Sequence, residues 1–237
     1  MKFLDLTFAE PAANLACDEA LLETMEADAP GAECLRVWEA KNHFVVLGHS
    51  NRIAAHVDTA ACRERAIPIL RRVSGGGTVV QGPGCLNYAL ILGNVARRNI
   101  DDTFRHVLQR HRRVVEALSG KAARFDGISD LTVDGLKFSG NAQYRKARCA
   151  LVHGTFLLNF DLPALERLLP VPAKQPAYRS NRPHRMFVTN LHLDSREFVD
   201  ALKGAWSADE VFTEVPTARI EQLTRERYGQ IWWSEKF

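Results

Sequence analysis

The 237-residue chain lacks long apolar runs and any pairing pattern among its cysteines. No apolar run approaches the ~18 residues that a membrane-spanning helix needs, and the N-terminus has no signal-peptide pattern. We therefore expect a cytoplasmic protein without a membrane partner. No C-x-x-C pair occurs, which argues against a disulfide framework and a structural zinc site. We predict that the cysteines are small buried side chains: Cys17, Cys34, Cys62, Cys85 and Cys149.

The common nucleotide-binding motifs are also missing. No G-x-x-x-x-G-K-[ST] occurs, and Val80 stands where a G-x-G-x-x-G motif would need its third glycine. Net charge is only +3, but basic residues concentrate in the stretches 97–148 and 174–185. They are either solvated helix faces or a surface that attracts an acidic partner. Nucleic acid is disfavoured because aromatic residues are not interleaved with them.

A glycine run lies between two predicted strands. Apolar residues flank the segment Arg71-Arg72-Val73-Ser74-Gly75-Gly76-Gly77-Thr78 on both sides. Three successive glycines leave the backbone open to a ligand, and consecutive N–H groups form a concavity that binds anions. With two arginines and a serine beside it, the run predicts a phosphate or carboxylate site. A plain tight hairpin is the alternative.

A second segment is predicted to form a hairpin with a lysine on its polar face. Asp134-Gly135 predicts a two-residue hairpin turn. Counting outward from the turn pairs Val133 with Leu136, Thr132 with Lys137, Leu131 with Phe138 and Asp130 with Ser139. Cross-strand partners share a face, so Lys137 lies in a polar row opposite an apolar face. The alternative is a half-exposed hairpin with a solvated lysine.

The strand 151–158 is interrupted by His153-Gly154-Thr155. Such a break suggests that a ligand or another backbone approaches closely. Alternatively, His153 is a core histidine with its hydrogen bonds satisfied.

The remaining pattern mixes hairpins with helices, which favours an α+β fold. An amphipathic helix is predicted over 14–25 and ends before Pro30-Gly31. Another runs from a cap at Asp101 to a stop at Gly120. Further helices are predicted at 58–65, 162–169, 195–206 and 216–228, and strands at 35–38 and 44–47 read as a pair.

In their order and spacing, these segments resemble the lipoate–protein ligase A family of the biotin/lipoate ligase superfamily, from about residue 3 to 192. The resemblance is carried by Asn14 to Leu21, Trp38, Leu47-Gly48, Arg71 to Thr78, Asn87, Ser129 to Val133, Lys137 to Gln143, His153 to Thr155 and Thr189 to Leu191. It implies a class II synthetase/biotin ligase-like catalytic domain with mixed and antiparallel sheets flanked by helices. Residues 1–237 would form that one domain, with no C-terminal accessory domain.

The resemblance also implies an activity. Lipoate or octanoate would be activated with ATP and Mg²⁺ to acyl-AMP and passed to a lysine of a lipoyl acceptor domain. That acceptor would resemble the glycine cleavage H protein or a 2-oxoacid dehydrogenase E2. Lys137 would be catalytic, and Mg²⁺ would be held through the ATP phosphates. The lipoyl and adenylate sites would be lined by Arg72, Ser74, Gly75, Gly76, Gly77, Thr78, Asp130, Ser139, Gly140, Ala142, His153, Gly154 and Thr155.

Two departures leave alternatives open. Family ligases carry His-Asp after the glycine loop, where this chain has Gln81-Gly82-Pro83-Gly84. The missing accessory domain would be dispensable or supplied by a separate subunit. The related ATP-independent octanoyl and lipoyl transferases of the superfamily use a cysteine nucleophile, which precedes the segment similar to Asp130-Leu131 by a few residues. Here 122–129 contains no cysteine, and Cys149 does not match that position. A non-catalytic lipoate-binding adapter would not need Lys137.

Overall fold

The computed structural model describes residues 1–27, 33–94 and 98–237. The predicted end of the first helix at Pro30-Gly31 and the basic Arg97 lie outside these residues. Within them, eleven strands form two sheets. The strands are β1 Lys2–Asp5, β2 Cys34–Glu39, β3 Phe44–Leu47, β4 Ile69–Arg71, β5 Val79–Gln81, β6 Cys85–Leu92, β7 Ala123–Asp126, β8 Asp130–Val133, β9 Leu136–Arg145, β10 Ala150–Leu157 and β11 Glu210–Val211.

Helices cover the sheets. They are α1 Pro11–Ala27, α2 Ile53–His56, α3 Thr59–Glu64, α4 Ile100–Ser119, α5 Leu162–Leu168, α6 Ser195–Trp206, α7 Thr217–Leu223 and α8 Ile231–Ser234. A π-helical turn, Thr224–Tyr228, continues α7. Among the residues described, none of the helices combines the length and apolar character that crossing a membrane requires.

The large sheet has the order β11-β1-β2-β6-β10-β9-β8-β7 and separates two cores. Alternation along β2 shows the division, because Cys34 and Trp38 pack with α1 while Leu35 and Val37 pack with α4 and α6. Strand β1 pairs in parallel with β2 and β11, and the remaining neighbouring pairs of the large sheet are antiparallel. The predicted α+β fold with mixed and antiparallel sheets flanked by helices is confirmed.

The small sheet has the order β4-β3-β5 and packs on α3 and α5. One expectation and one of the alternatives are therefore wrong. Strands β2 and β3 are not a pair, because each belongs to a different sheet. The glycine run is not a tight hairpin either, because β4 and β5 lie on opposite sides of β3. The loop between them must cross the end of β3.

Helix α1 is buried on both sides, so the amphipathic interpretation is wrong. Two of its acidic residues are buried and paired: Asp18 accepts from Arg36 at 2.5 Å, and Glu19 accepts from Arg227 and Tyr228 at 2.7 and 2.8 Å. The sheet covers one side of the helix, and α7 with its π-turn covers the other.

The cap of α4 also differs from the prediction. Asn99, not Asp101, caps the helix, since its side chain accepts from the Asp102 N–H at 2.8 Å. Asp101 lies in the first turn, where a carboxylate stabilises the helix by its interaction with the positive end of the helix dipole. The predicted stop at Gly120 is confirmed by its left-handed φ of 66°.

Candidate active site

The loop after β4 is built around one buried guanidinium. Arg72 donates from Nη2 to the carbonyls of Gly75 and Gly77, at 2.6 and 2.8 Å, and from Nε to Ser74 Oγ at 3.0 Å. Burial lowers the pKa of Arg72 to about 10, so it is still a cation at neutral pH. Since C=O and N–H point opposite ways across a trans peptide, the N–H groups of Gly76 and Thr78 point away from Arg72.

The three glycines are exposed at the top of this loop. A Cβ on Gly75 or Gly77 would meet nothing within 4 Å, whereas Gly76 has a left-handed φ of 94°. Asn51 holds the far side of the loop by donating to the Gly76 carbonyl at 3.1 Å and to Thr78 Oγ1 at 3.0 Å. The loop is an open main-chain cradle with a cation beneath it, as anion binding requires.

Arg71 does not belong to this cradle. Its guanidinium makes five hydrogen bonds to the carbonyls of Gly48, His49, Asn51, Trp233 and Ser234. The Trp233 indole in turn donates to the Arg71 carbonyl at 2.8 Å. Arg71 is therefore a structural tie between the base of the loop and α8.

The loop contacts the centre of the large sheet. Ser74 Oγ lies 2.6 Å from His153 Nε2 on β10, and Ala142 on β9 pairs with His153. The Ala142 Cβ is 3.9 Å from the place that a Cβ on Gly76 would occupy. Thus β9 and β10 form the wall beside the cradle.

Lys137 lies along this wall. Its Nζ forms an ion pair with Asp130 Oδ1 at 2.8 Å, and it lies 2.8 Å from where a Cβ on Gly140 would be. Gly140 precedes Ala142 by two residues, so Nζ is roughly 7 Å along the strand from the cradle contact. Tyr178 donates to Asp130 Oδ2 at 2.7 Å, which fixes the second carboxylate oxygen. Burial raises the pKa of Tyr178.

A β-bulge changes the predicted hairpin register. The pairs are Val133–Leu136, Thr132–Lys137, Leu131–Ser139 and Asp130–Gly140. The first two match the prediction, but the pairs Leu131–Phe138 and Asp130–Ser139 are wrong, because Phe138 is an extra residue. The two bulge residues project to one side, so Ser139 joins Phe138 in facing away from Lys137, and Gly140 takes its place beside the ammonium.

Asn141 braces the strand from behind. Its Nδ2 donates to the Ser129 carbonyl at 2.7 Å and to Ser139 Oγ at 3.2 Å, and its Oδ1 accepts from Tyr88 at 2.6 Å. A Cβ on Gly154 would overlap Asn141 and lie 2.8 Å from the Gly140 carbonyl. The glycine in the predicted break therefore lets another strand come close.

The other predicted residues fit this picture unevenly. Thr78 is bound to Asn51. Thr155 lies on β10 and pairs with Asn87 on β6, whereas Lys137 lies on β9. Four residues that reasoning from the sequence missed also shape the site: Asp18, Arg36, Asn51 and Tyr178. Asp18 lay within a noted motif, but no local signal showed that its carboxylate points inward.

No cysteine is available as an exposed nucleophile, since all five are free and buried. Burial raises the pKa of Cys17 and of Cys34 to about 12, and raises the pKa of Cys85 and Cys149. In the part of the chain that the structure describes, no three His, Cys, Asp or Glu residues are grouped to hold a metal ion.

Comparison with known proteins identifies the family. The family model that describes the lipoyl protein ligase A/B catalytic domain matches residues 10–208 of this sequence. The chain belongs to this family. A relative from Aeropyrum pernix is 30% identical over 166 residues, which are 70% of this chain and 61% of that protein. The chain thus spans less than two thirds of that relative. Lipoate–protein ligase 1 of Staphylococcus aureus is 26% identical over 99% of this chain and 73% of its own length.

The chain is also similar to relatives with another name and to solved structures that share its fold. Octanoyltransferase LipM of Carboxydothermus hydrogenoformans is 27% identical over 100% of this chain and 98% of its own length. A bipartite lipoate protein ligase from Thermoplasma acidophilum superposes with a TM-score of 0.84 at 22% identity, covering 99% of this chain and 95% of that one. A lipoate-protein ligase A bound with ATP gives 0.82 at 23% identity, covering 99% and 98%. These structures support the fold of the lipoyl protein ligase A/B domain.

Proposed function

We propose that this protein is a lipoate–protein ligase that attaches lipoate, or octanoate, to a lysine of a lipoyl acceptor domain in two steps. In the first step, a carboxylate oxygen of the acid attacks the α-phosphorus of ATP, and pyrophosphate leaves. In the second step, the lysine amine attacks the acyl carbon of the acyl-AMP. An amide forms, AMP leaves with the electron pair of the broken bond, and the amine loses a proton.

The observation that carries this proposal is that a fixed ammonium and an open main-chain cradle lie along the same wall, roughly 7 Å apart. Negative charge develops on phosphate and carbonyl oxygens in both steps, and donors already in place stabilise it. Lys137 lies along the wall that contacts the cradle at Ala142. An ammonium has three donors, so Lys137 can keep its bond to Asp130 while it binds a ligand oxygen.

The similar proteins support the substrates. One T. acidophilum ligase structure contains lipoic acid and another is described with an E2 lipoyl domain, while a further neighbour contains ATP. The acceptor would then be an E2-like or H-protein-like lipoyl domain. Mg²⁺ would accompany ATP and neutralise its triphosphate. The bipartite T. acidophilum ligase also favours a separate accessory subunit.

The second candidate is an ATP-independent octanoyltransferase, which the similarity to LipM favours. Such an enzyme needs a reactive cysteine. Cys149 Sγ contacts the Met25 carbonyl at 3.5 Å, and Cys149 adjoins Ala150, which pairs with Arg145 at the far end of β9. Arg145 follows Lys137 by eight residues, which is roughly 25 Å along the strand. This geometry supports the ligase over the transferase.

Pyrophosphate exchange tests the choice. With lipoate, ATP and Mg²⁺, the purified protein should move labelled pyrophosphate into ATP, and omission of lipoate should stop it. Octanoate in place of lipoate compares the two acids. Synthetic lipoyl-AMP with an acceptor domain tests the second step alone, by the mass of the acceptor. The ligase would be refuted if the protein catalysed neither pyrophosphate exchange nor acyl transfer from lipoyl-AMP, and instead transferred octanoyl groups in a reaction that Cys149→Ala abolishes.

A further inference from the structure

A row of buried and partly buried polar side chains continues behind Ser74, away from the glycines. Ser74 Oγ accepts from Arg72 Nε at 3.0 Å and lies 2.6 Å from His153 Nε2. On the other side of the imidazole ring, His153 Nδ1 is 3.7 Å from Asp18 Oδ2. The row thus links the glycine loop to helix α1.

The hydrogen bonds around Ser74 assign the proton positions. Arg72 can only donate, and a hydroxyl has one proton to give. Ser74 is only 1% exposed, and His153 Nε2 is the acceptor within reach among the residues that the structure describes, so the serine proton goes to it. An imidazole nitrogen that accepts carries no proton. Neutral His153 therefore bears its proton on Nδ1, the nitrogen that faces Asp18.

Asp18 is held rigidly in that orientation. Its Oδ1 accepts from Arg36 Nη1 at 2.5 Å, and Arg36 is 0% exposed. The same guanidinium also donates to Asn14 Oδ1 at 2.9 Å and to the Leu6 carbonyl at 2.8 Å. At 3.7 Å the second oxygen is too far for a hydrogen bond with His153, so it acts through its charge, which is screened little in a buried site.

We propose that Asp18 is a positioning residue whose carboxylate keeps the proton of His153 on Nδ1. Nε2 then stays free to accept from Ser74, whereas in the other tautomer the buried serine proton would lose this acceptor and the hydroxyl that Arg72 donates to would have to reorient. Because Arg72 also holds the carbonyls of Gly75 and Gly77, the tautomer of His153 helps to set the shape of the cradle. The consequence for catalysis rests on the proposed ligase function, whereas the tautomer does not.

The tautomer is measurable in the unliganded protein. Long-range ¹⁵N–¹H spectra of the full chain, labelled in histidine, distinguish a protonated ring nitrogen from an unprotonated one, and His153→Gln assigns the signal. We expect the Nδ1–H form in the unmodified protein and a mixture of both forms in Asp18→Asn. A matched control is Glu19→Gln, the next residue of α1, whose buried carboxylate contacts Arg227 and Tyr228. It should leave the His153 signal unchanged.

Two results would overturn the proposal. One is the Nε2–H form in the unmodified protein, which needs no variant to fold. The other is the same response of His153 to Asp18→Asn and to Glu19→Gln, since this would mark a general effect of losing a buried charge.

Kinetics then separate positioning from structure. In pyrophosphate exchange, Asp18→Asn should lower kcat about five- to tenfold, as expected for about one hydrogen bond, with little change in the KM of ATP. Ser74→Ala should cause a similar loss, and the double variant no further loss, because both act on one hydrogen bond. Full kcat in Asp18→Asn would refute the catalytic role. If the unmodified protein catalyses neither exchange nor acyl transfer from lipoyl-AMP, the ligase function is refuted and the tautomer result stands.

Discussion

The three loop glycines differ in their surroundings, which makes a graded set of alanine substitutions informative. At Gly75 and Gly77 a methyl group would enter open space, with nothing within 4 Å. At Gly76 it would lie 2.9 Å from Arg72 Nη2, on a backbone with φ of 94°. Stability and activity should therefore respond differently at the three positions.

The expected stabilities follow from the backbone. Gly75→Ala and Gly77→Ala should leave the free energy of unfolding unchanged or raise it by up to about 1 kcal/mol, because alanine restricts the unfolded chain. Gly76→Ala should lower it by about 1–2 kcal/mol, the cost of a left-handed conformation for a residue with a Cβ.

The expected activities follow from the open cradle. If phosphate or carboxylate oxygens bind the loop N–H groups, a methyl at Gly75 or Gly77 displaces them. Losing one hydrogen bond to a charged group costs about 1.5–3 kcal/mol, which corresponds to about a 10- to 150-fold fall in kcat/KM. These variants would be stable and impaired, a combination that a purely structural loop would not give.

Thermal unfolding and lipoate-dependent pyrophosphate exchange measure the two effects on the same samples. The matched control is Gly204→Ala in α6, where a Cβ also meets nothing within 4 Å, and which should keep full activity. Full activity in both Gly75→Ala and Gly77→Ala would refute the idea that this loop binds the reacting groups.

Three further substitutions test separate parts of the account. Lys137→Ala should lower acyl-AMP formation about 100- to 1000-fold with little loss of stability, because an ammonium at the developing charge is removed; single-turnover kinetics that match the unmodified protein would contradict this. Arg71→Ala should cost at least about 3 kcal/mol in urea unfolding, since it orphans buried carbonyls; exposed Arg63→Ala is the control, and equal midpoints would contradict the structural role. Burial lowers the pKa of His111 to about 3, below its ordinary value of about 6.5. The unfolded chain then takes up the proton first, so stability should fall by up to about 1.4 kcal/mol per unit as the pH drops from about 6.5 towards 3. His111→Gln should flatten that slope, and an equal slope in both proteins would contradict the assignment.

Local patterns predicted most elements of the fold. Helix α6 has the predicted bounds, and α5 ends one residue before its predicted end. Periodicity and turn residues act over a few positions, so they suffice for such elements. The assignment of β3 to a second sheet depends on contacts distant in sequence, and no local pattern contains them.

The site shows the same division. The glycine run and Lys137 stand out because unusual residues occur together. By contrast, Asp18 resembles a solvent-exposed helix residue until Arg36, 18 residues later, is seen to bind it. The bulge at Phe138 was missed because both possible registers bury that side chain. Tyr178 reaches Asp130 across 48 residues, a distance at which sequence reasoning has no signal.

The most direct test of the central claim is a crystal structure of this protein with a non-hydrolysable acyl-adenylate analogue. We predict that its phosphate binds the N–H groups of the loop 75–78 and that Lys137 Nζ lies within hydrogen-bond distance of the acyl–phosphate junction. An analogue bound elsewhere, or a junction beyond the reach of Lys137, would contradict the account.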